Sequence, residues 1–234
     1  MKIQWATLFK KCTLDEDTFP FGIRFYDAPM GGGKTLSMLN DTFELVKKYH
    51  DVHIFSNVRI NRDDLNVKYY NSTNELIDCL ELATQFKHSI VIIDEGLSYF
   101  AENGGIDPAL MSSITQTRKN RIFILISSQK FKRINNRIRD FSLETVVCRC
   151  YFNKIQWNIV RDDTNIVWDK EQMDFVGTKK YSVIFKRNND LFNSYDTFQK
   201  INITTNTSAL FSPRGSPIAV EAKQGKTINI GVKK

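Results

Sequence analysis

Cysteine is scarce in this chain, with four in 234 residues. Cys12, Cys79, Cys148 and Cys150 are spaced too irregularly for the disulfide framework of a small secreted domain, and Cys148-Arg149-Cys150 lacks the two-residue spacer of a zinc or redox motif. Reduced, structural thiols are expected. Long apolar runs are absent too. The longest, near Ile90 to Ile93 and Ile122 to Ile126, are strand-sized, well short of the roughly 20 residues that span a bilayer. Residues 1–12 carry lysines but no apolar stretch of signal-peptide length. The expectation is a cytoplasmic chain without a membrane span. No internal repeat is evident, and the length excludes a solenoid or a large multidomain machine, leaving room for one α/β domain with a small addition and a tail.

The hydrophobic (41%) and charged (25%) fractions are ordinary for a globular protein, so the class must come from pattern. A formal charge of +7 tilts the expectation toward an anionic partner, and where that charge sits matters more than its sum.

From Phe21 to about Cys150, short β-rich runs alternate with longer helical patterns, the signature of βαβ units around a parallel sheet. Ile23–Tyr26 reads as the first strand. The helix from Lys34 to about Tyr49 spaces Leu39, Phe43 and Val46 to face the sheet. Val52–Ile60 follows as a strand, Thr73–Phe86 as a capped helix and Ser89–Ile93 as a buried strand. Asp107-Pro108 then caps a helix to about Lys119, and Ile122–Ser127 is the next strand. Ile134–Phe141 suits a short helix. Glu144–Phe152, Ile155–Val160 and Tyr181–Lys186 read as strands that either extend the sheet or form a small β appendage. Residues 202–234 are rich in Ser, Thr, Asn, Gly and Pro, and read as a flexible tail. The division expected is an N-terminal extension (1–20), a core (21–150), a β-rich extension (151–201) and the tail.

Between the first strand and first helix lies Ala28-Pro29-Met30-Gly31-Gly32-Gly33-Lys34-Thr35, a phosphate loop of the G-x-x-x-x-G-K-[ST] type with alanine at the first glycine position. Gly31, Gly32 and Gly33 let successive N–H groups turn inward around phosphates. Lys34 can reach the β- and γ-phosphates of ATP, and the Thr35 hydroxyl can ligate Mg²⁺ at the helix N-terminus. If Ala28 could not adopt the loop's opening turn, triphosphate affinity would be weak.

Ile90-Val91-Ile92-Ile93-Asp94-Glu95 supplies the acidic half of such a site, aimed from the carboxyl edge of a central strand. Asp94 is expected to hold the Mg²⁺ hydration shell and Glu95 to orient or deprotonate the attacking water, which favours a hydrolase over a sensor. Gln129, past the strand Ile122–Ser127, could sense the γ-phosphate or the water if that strand lies between the other two. Arg118 and Arg121 are candidates for a finger acting on a neighbouring subunit, with Arg118 preferred.

Arg118 to Gln129, followed by Arg133-Ile134-Asn135-Asn136-Arg137-Ile138-Arg139, resembles the arginine, hydrophobic strand, terminal glutamine and following helix of the FtsK/HerA superfamily of DNA-pumping ATPases. Within it the chain most resembles the Zot-like ATPases of filamentous-phage assembly and the packaging ATPases of tailless viruses. Phe55-Ser56-Asn57 is similar to the family's strand with a central Asn, Asp94-Glu95 to its acidic pair, and Tyr195-Asp196-Thr197 to a late Tyr-Asp-Thr element. The resemblance implies a RecA-like P-loop NTPase core with strand order 5-1-4-3-2, a homo-oligomeric ring, and ATP-driven movement of DNA. Phage-assembly members carry a transmembrane segment after the ATPase domain; its absence from this sequence favours packaging or translocation over membrane extrusion.

Between Gln116 and Asp140 stand eight basic residues (Arg118, Lys119, Arg121, Lys130, Lys132, Arg133, Arg137, Arg139) and one acid, Asp140, a balance of 8 − 1 = +7. Such a cluster is either a solvated face or a sequence-independent, salt-sensitive phosphate contact. Lys130, Lys132, Arg133 and Arg137 are the candidates for coupling γ-phosphate state to DNA grip. The basic tail is a candidate for docking on a capsid, a membrane protein or nucleic acid. The combined expectation is an ATP-hydrolysing DNA translocase of virus or phage assembly. Its rivals are a Zot-like morphogenesis ATPase and a non-hydrolysing, nucleotide-dependent assembly adaptor.

Overall fold

The computed structural model describes residues 18–102, 105–117, 120–169 and 174–195. Its centre is a single eight-stranded sheet of order β3-β2-β4-β5-β1-β6-β7-β8. The strands are β1 (Gly22–Asp27), β2 (Val52–Ser56), β3 (Asn66–Tyr69), β4 (His88–Ile93), β5 (Ile122–Ser128), β6 (Ser142–Tyr151), β7 (Ile155–Asp169) and β8 (Asp174–Lys186). Pairings from β3 across to β6 are parallel, whereas β6, β7 and β8 are antiparallel. The five strands anticipated for the core therefore stand in the expected 5-1-4-3-2 order. The sheet departs from that scheme by one added edge strand, β3, and by the β7–β8 ribbon, which extends the sheet instead of forming a separate appendage.

Both faces of the parallel strands are covered, so their sequences are continuously apolar. In β4, Ile90 and Ile92 join the core under α1 (Lys34–Lys48), while Val91 and Ile93 face the core under α2 (Thr73–Ala83) and α4 (Pro108–Gln116). In β5, Phe123 and Leu125 divide from Ile122, Ile124 and Ile126 in the same way. Two helix starts follow the expected chemistry: Ser72 Oγ accepts from Glu75 N at 3.2 Å, and Asp107 Oδ1 from Ala109 N at 2.8 Å with Pro108 in the first turn.

The remaining differences have local causes. The second strand stops at Ser56, whose hydroxyl accepts from Val58 N at 3.0 Å and turns the chain. The missed β3 is a short, largely exposed edge strand with little apolar patterning. Short helices α3 (Leu97–Phe100), α5 (Asn136–Arg139) and α6 (Asn189–Asn193) are single turns, below the length at which periodicity is informative. Thus α5 is shorter than the expected helix from Ile134 to Phe141. The ribbon strands run much further than the expected 155–160 and 181–186, because Arg161, Asp162, Asp163 and Thr164 break the apolar alternation while the backbone ladder resumes beyond a register shift.

A buried charge network ties β1 to its neighbours. Arg24 Nε donates to Glu144 Oε2 at 2.8 Å and Nη1 to Asp41 Oδ2 at 3.1 Å, while Lys180 Nζ reaches Glu144 Oε1 at 2.8 Å. It joins β1, α1, β6 and β8 beneath the segment that leads into the phosphate loop. Cys79 and Cys148 are buried and free, and burial pushes the Cys148 thiol up to about 12, consistent with an inert packing role.

Candidate functional site

The carboxyl ends of β1, β4 and β5 meet at one edge of the sheet, with β5 between the other two; Asp27 is level with Ser128, and Ile93 with Ile126. This is the edge where open α/β sheets place ligands. The loop from Ala28 to Thr35 leaves β1 here and enters α1.

Within the loop, Gly31 and Gly33 have φ of +75° and +85°, conformations that cost an L-residue about 1–2 kcal/mol. Gly33 caps α1 without any side-chain hydrogen bond, so the first-turn N–H groups are left facing outward from the helix end. Ala28 needs no glycine. It is not among the described residues with positive φ, it is 4% exposed, and its N–H donates to Ser128 O at 3.4 Å, continuing β1. Its methyl group fits because residue 32 is glycine: a Cβ there would stand 2.6 Å from the Ala28 Cβ. Pro29 and Met30 form the exposed outer rim of the loop. Lys34 Nζ folds onto the loop, donating to Ala28 O at 3.1 Å and Pro29 O at 3.3 Å.

Thr35 and Asp94 are brought together across the cleft, Thr35 Oγ1 donating to Asp94 Oδ2 at 3.0 Å. Asp94 Oδ1 accepts from Ser127 Oγ. The backbone of Asp94 is clasped by Asn57 at the end of β2: Asn57 Nδ2 donates to Asp94 O at 2.9 Å, and Asp94 N to Asn57 Oδ1 at 2.8 Å. Glu95 follows with φ +57° and an exposed side chain, its N–H donating to Ser127 Oγ at 3.0 Å. A hydroxyl and a carboxylate in contact are a donor set suited to Mg²⁺, an oxygen-seeking ion, and Thr35 with Asp94 would hold it.

Gln129 lies one residue beyond β5, exposed, and among the described residues its side chain makes no hydrogen bond to Asp94 or Glu95. Ser127, two positions earlier, makes those contacts instead. Arg118 lies outside the described residues. Arg121 stands just before β5, at the opposite edge of the sheet from the phosphate loop, beside Lys87 and His88. Within one chain it does not approach that loop. Lys130, Lys132, Arg133 and Arg137 are all exposed just past β5, where Phe131–Arg133 forms a 3-10 turn. This turn is pinned to the phosphate-loop strand: Phe131 N donates to Asp27 Oδ1 at 3.2 Å, and the Phe131 ring meets Phe25 edge-on at 5.0 Å. Burial raises the Asp27 carboxyl above its ordinary value, with the Phe131 N–H and Lys34 opposing the rise.

Sequence reasoning missed Ser127, Asp27 and two amides of β7. Gln156 Nε2 donates to Gly32 O at 3.0 Å and to Asn158 Oδ1 at 3.1 Å; Ser37 Oγ in α1 donates to the same Asn158 oxygen at 3.1 Å. The available signal was Gln156-x-Asn158-x-Val160, whose alternate residues share one buried strand face and carry polar groups where apolar ones are usual. Among the described residues no helix is long and apolar enough to cross a membrane.

No protein family and no curated protein matches this sequence. Among solved structures, the N-terminal domain of zonular occludens toxin from Neisseria meningitidis superposes with TM-score 0.53 at 16% identity, covering 76% of this chain and 100% of that one. The genome packaging NTPase of Sulfolobus turreted icosahedral virus 2, in complex with sulfate, gives TM-score 0.48 at 12% identity, covering 58% of this chain and 77% of that one. The DNA-packaging ATPase of Sulfolobus turreted icosahedral virus gives 0.48 at 12%, covering 68% and 97%. At these identities the likeness concerns the fold, and the strongest of the three is to the toxin domain. The chain has the mainly parallel α/β fold of that domain, with the glycine-rich loop from Ala28 to Thr35 at the carboxyl edge of its central strands.

Proposed function

We propose that this protein is a P-loop ATPase of virus or phage assembly that couples hydrolysis to the movement of DNA. The observation that carries the reading is the meeting of Thr35 with Asp94 below a loop whose backbone turns at Gly31 and Gly33. In this reading Lys34 exchanges its carbonyl partners for the β- and γ-phosphates of ATP, and the first turn of α1 receives the phosphates. Bound Mg²⁺ would neutralise phosphate charge beside Thr35 and Asp94. Glu95 accepts a proton from the attacking water, which it can do only if its backbone stays in the left-handed turn that Asn57 and Ser127 support. The link from Asp27 to Phe131 supports a further step: a change at the loop is felt by the turn carrying Lys130, Lys132 and Arg133, with Arg137 nearby, and so by a DNA backbone held there. Gln129 and Arg118 retain their proposed roles as sensor and as a finger for the next subunit of a ring.

The test is steady-state ATPase with and without single- and double-stranded DNA, on wild type, Lys34→Ala, Glu95→Gln and a charge reversal of Lys130, Lys132, Arg133 and Arg137. Both single variants should abolish turnover, and the charge reversal should abolish DNA stimulation while sparing the basal rate. Turnover retained in Lys34→Ala overturns the ATPase assignment. The likeness to the complete toxin domain favours one alternative, a Zot-like ATPase of virion morphogenesis; an active ATPase with no DNA stimulation that co-purifies with a membrane protein would select it.

A further inference from the structure

Among the described residues, two fully buried amides stand out because neither belongs to an apolar strand face by chemistry. Gln156 is 0% exposed and Asn158 is 1% exposed. They sit on the same face of β7 and form a chain of hydrogen bonds, Ser37 Oγ to Asn158 Oδ1, and Gln156 Nε2 to both Asn158 Oδ1 and Gly32 O. Burying such groups without partners costs a few kcal/mol each, so the arrangement persists because it is satisfied on the donor side. The acceptor side is not: Gln156 Oε1 is buried and takes no hydrogen bond among the described residues. It lies against Gly33, where a Cβ would meet it at 2.2 Å. The fold keeps this amide at a steric and polar expense, and among the described residues the one hydrogen bond it makes with the loop is the donation to Gly32 O.

That contact has a stereochemical consequence. The Gly32–Gly33 peptide is trans, since there are no cis bonds among the described residues, and in a trans peptide the C=O and the following N–H point in opposite directions. Holding the Gly32 carbonyl on Gln156 therefore turns the Gly33 N–H away from β7. Among the described residues this N–H donates to no backbone or side-chain acceptor. A glycine pair is the least constrained stretch of backbone available, so without an external clamp the peptide is free to flip.

We infer that Gln156 is a positioning residue for the triphosphate, clamping the Gly32 carbonyl so that the Gly33 N–H faces the phosphates, with Asn158 and Ser37 orienting its amide. The inference rests on the nucleotide-binding reading above. It also makes the β7–β8 ribbon part of the nucleotide site, because the clamp is attached to β7 and moves with it.

The experiment measures ATP affinity, KM, kcat and Tm for wild type, Lys34→Ala, Gln156→Met and Gln156→Glu. Gln156→Met keeps the shape and removes the donor; ATP affinity should fall, and KM rise, about tenfold, the equivalent of one hydrogen bond, with kcat within about threefold of wild type. Gln156→Glu places a second acceptor against the Gly32 carbonyl. It should weaken ATP binding further at pH 8 and recover toward wild type as the pH falls and the protonated carboxyl donates again. A role in folding alone would lower Tm in both variants and leave affinity, KM and the pH dependence of binding unchanged, and that result overturns the inference. If Gln156→Met does not fold, Asn158→Leu removes the group that orients the amide and should show the same rise in KM, more weakly; an unchanged KM there counts equally against the clamp. Wild-type binding that is lost in Lys34→Ala but intact in both Gln156 variants refutes the clamp and leaves the nucleotide site standing. Absence of ATP binding by wild type removes both.

Discussion

Replacing Asn57 with alanine tests whether the acidic half of the site is held by the neighbouring strand. Asn57 is 3% exposed and its amide makes two reciprocal bonds to the Asp94 backbone, at 2.9 and 2.8 Å. Asn57→Ala leaves one donor and one acceptor of Asp94 unpaired. Each buried, unsatisfied group costs about 1–3 kcal/mol, and because Asp94 is only half-buried water recovers part of this, so a total of about 2–3 kcal/mol is expected. For a protein of this size that corresponds to a Tm lower by about 4–12 °C. Function should suffer separately. Glu95 occupies φ +57°, a conformation costing about 1–2 kcal/mol that persists because Asn57 holds one side of the turn and Ser127 the other. Freed from Asn57, the backbone relaxes toward negative φ and takes the carboxylate with it. Calorimetry and steady-state ATPase should thus show kcat reduced at least about tenfold, equivalent to about 1.4 kcal/mol of barrier, with KM for ATP little changed because Asn57 does not touch the phosphate loop. A variant with Tm within about 2 °C and kcat within about twofold of wild type would refute the clasp.

Two further substitutions separate backbone from side-chain effects and test the buried charges. Gly33→Ala combines an unfavourable φ with a Cβ that would stand 2.2 Å from Gln156 Oε1, whereas Gly31→Ala meets only the φ cost, having nothing within 4 Å; ATP titration should find binding lost in the first and merely weakened in the second. At Glu144, burial favours protonation, but Arg24 and Lys180 outweigh it and hold the carboxyl below the ordinary glutamate value. Its ion pairs therefore contribute stability that is fully present above about pH 4.3 and is lost as pH falls through the lowered folded value. Glu144→Gln leaves Arg24 short of a buried partner, at a cost of about 3 kcal/mol or more, so its Tm deficit should be large at pH 7 and shrink below about pH 4. A deficit constant across that range would contradict the assignment.

Much of the proposed nucleotide site could be read as a candidate in the linear sequence because its parts are local. A loop of three glycines ending in Lys34-Thr35 between a strand and an amphipathic helix needs no long-range information, and four β-branched residues running into Asp94-Glu95 announce a central strand with acids at its end. The order of the five core strands followed from resemblance instead of from any pattern within them. Composition and periodicity also described Ala28 only as a departure; its tolerance depended on a contact with Gly32 four residues away. The long reach of β7 and β8 was hidden because a ribbon with polar residues on both faces loses the alternation that marks a strand. Ser127, Asp27, Asn57, Gln156 and Asn158 gained their roles through partners 32 to 124 positions distant in the chain. Local sequence determines which backbone conformations are cheap and which side chains seek burial. Which buried hydroxyl or amide meets which loop is decided only when the sheet brings β7 beside β6 and β5 between β1 and β4, since hydrogen bonds of about 3 Å are satisfied in space and not in sequence.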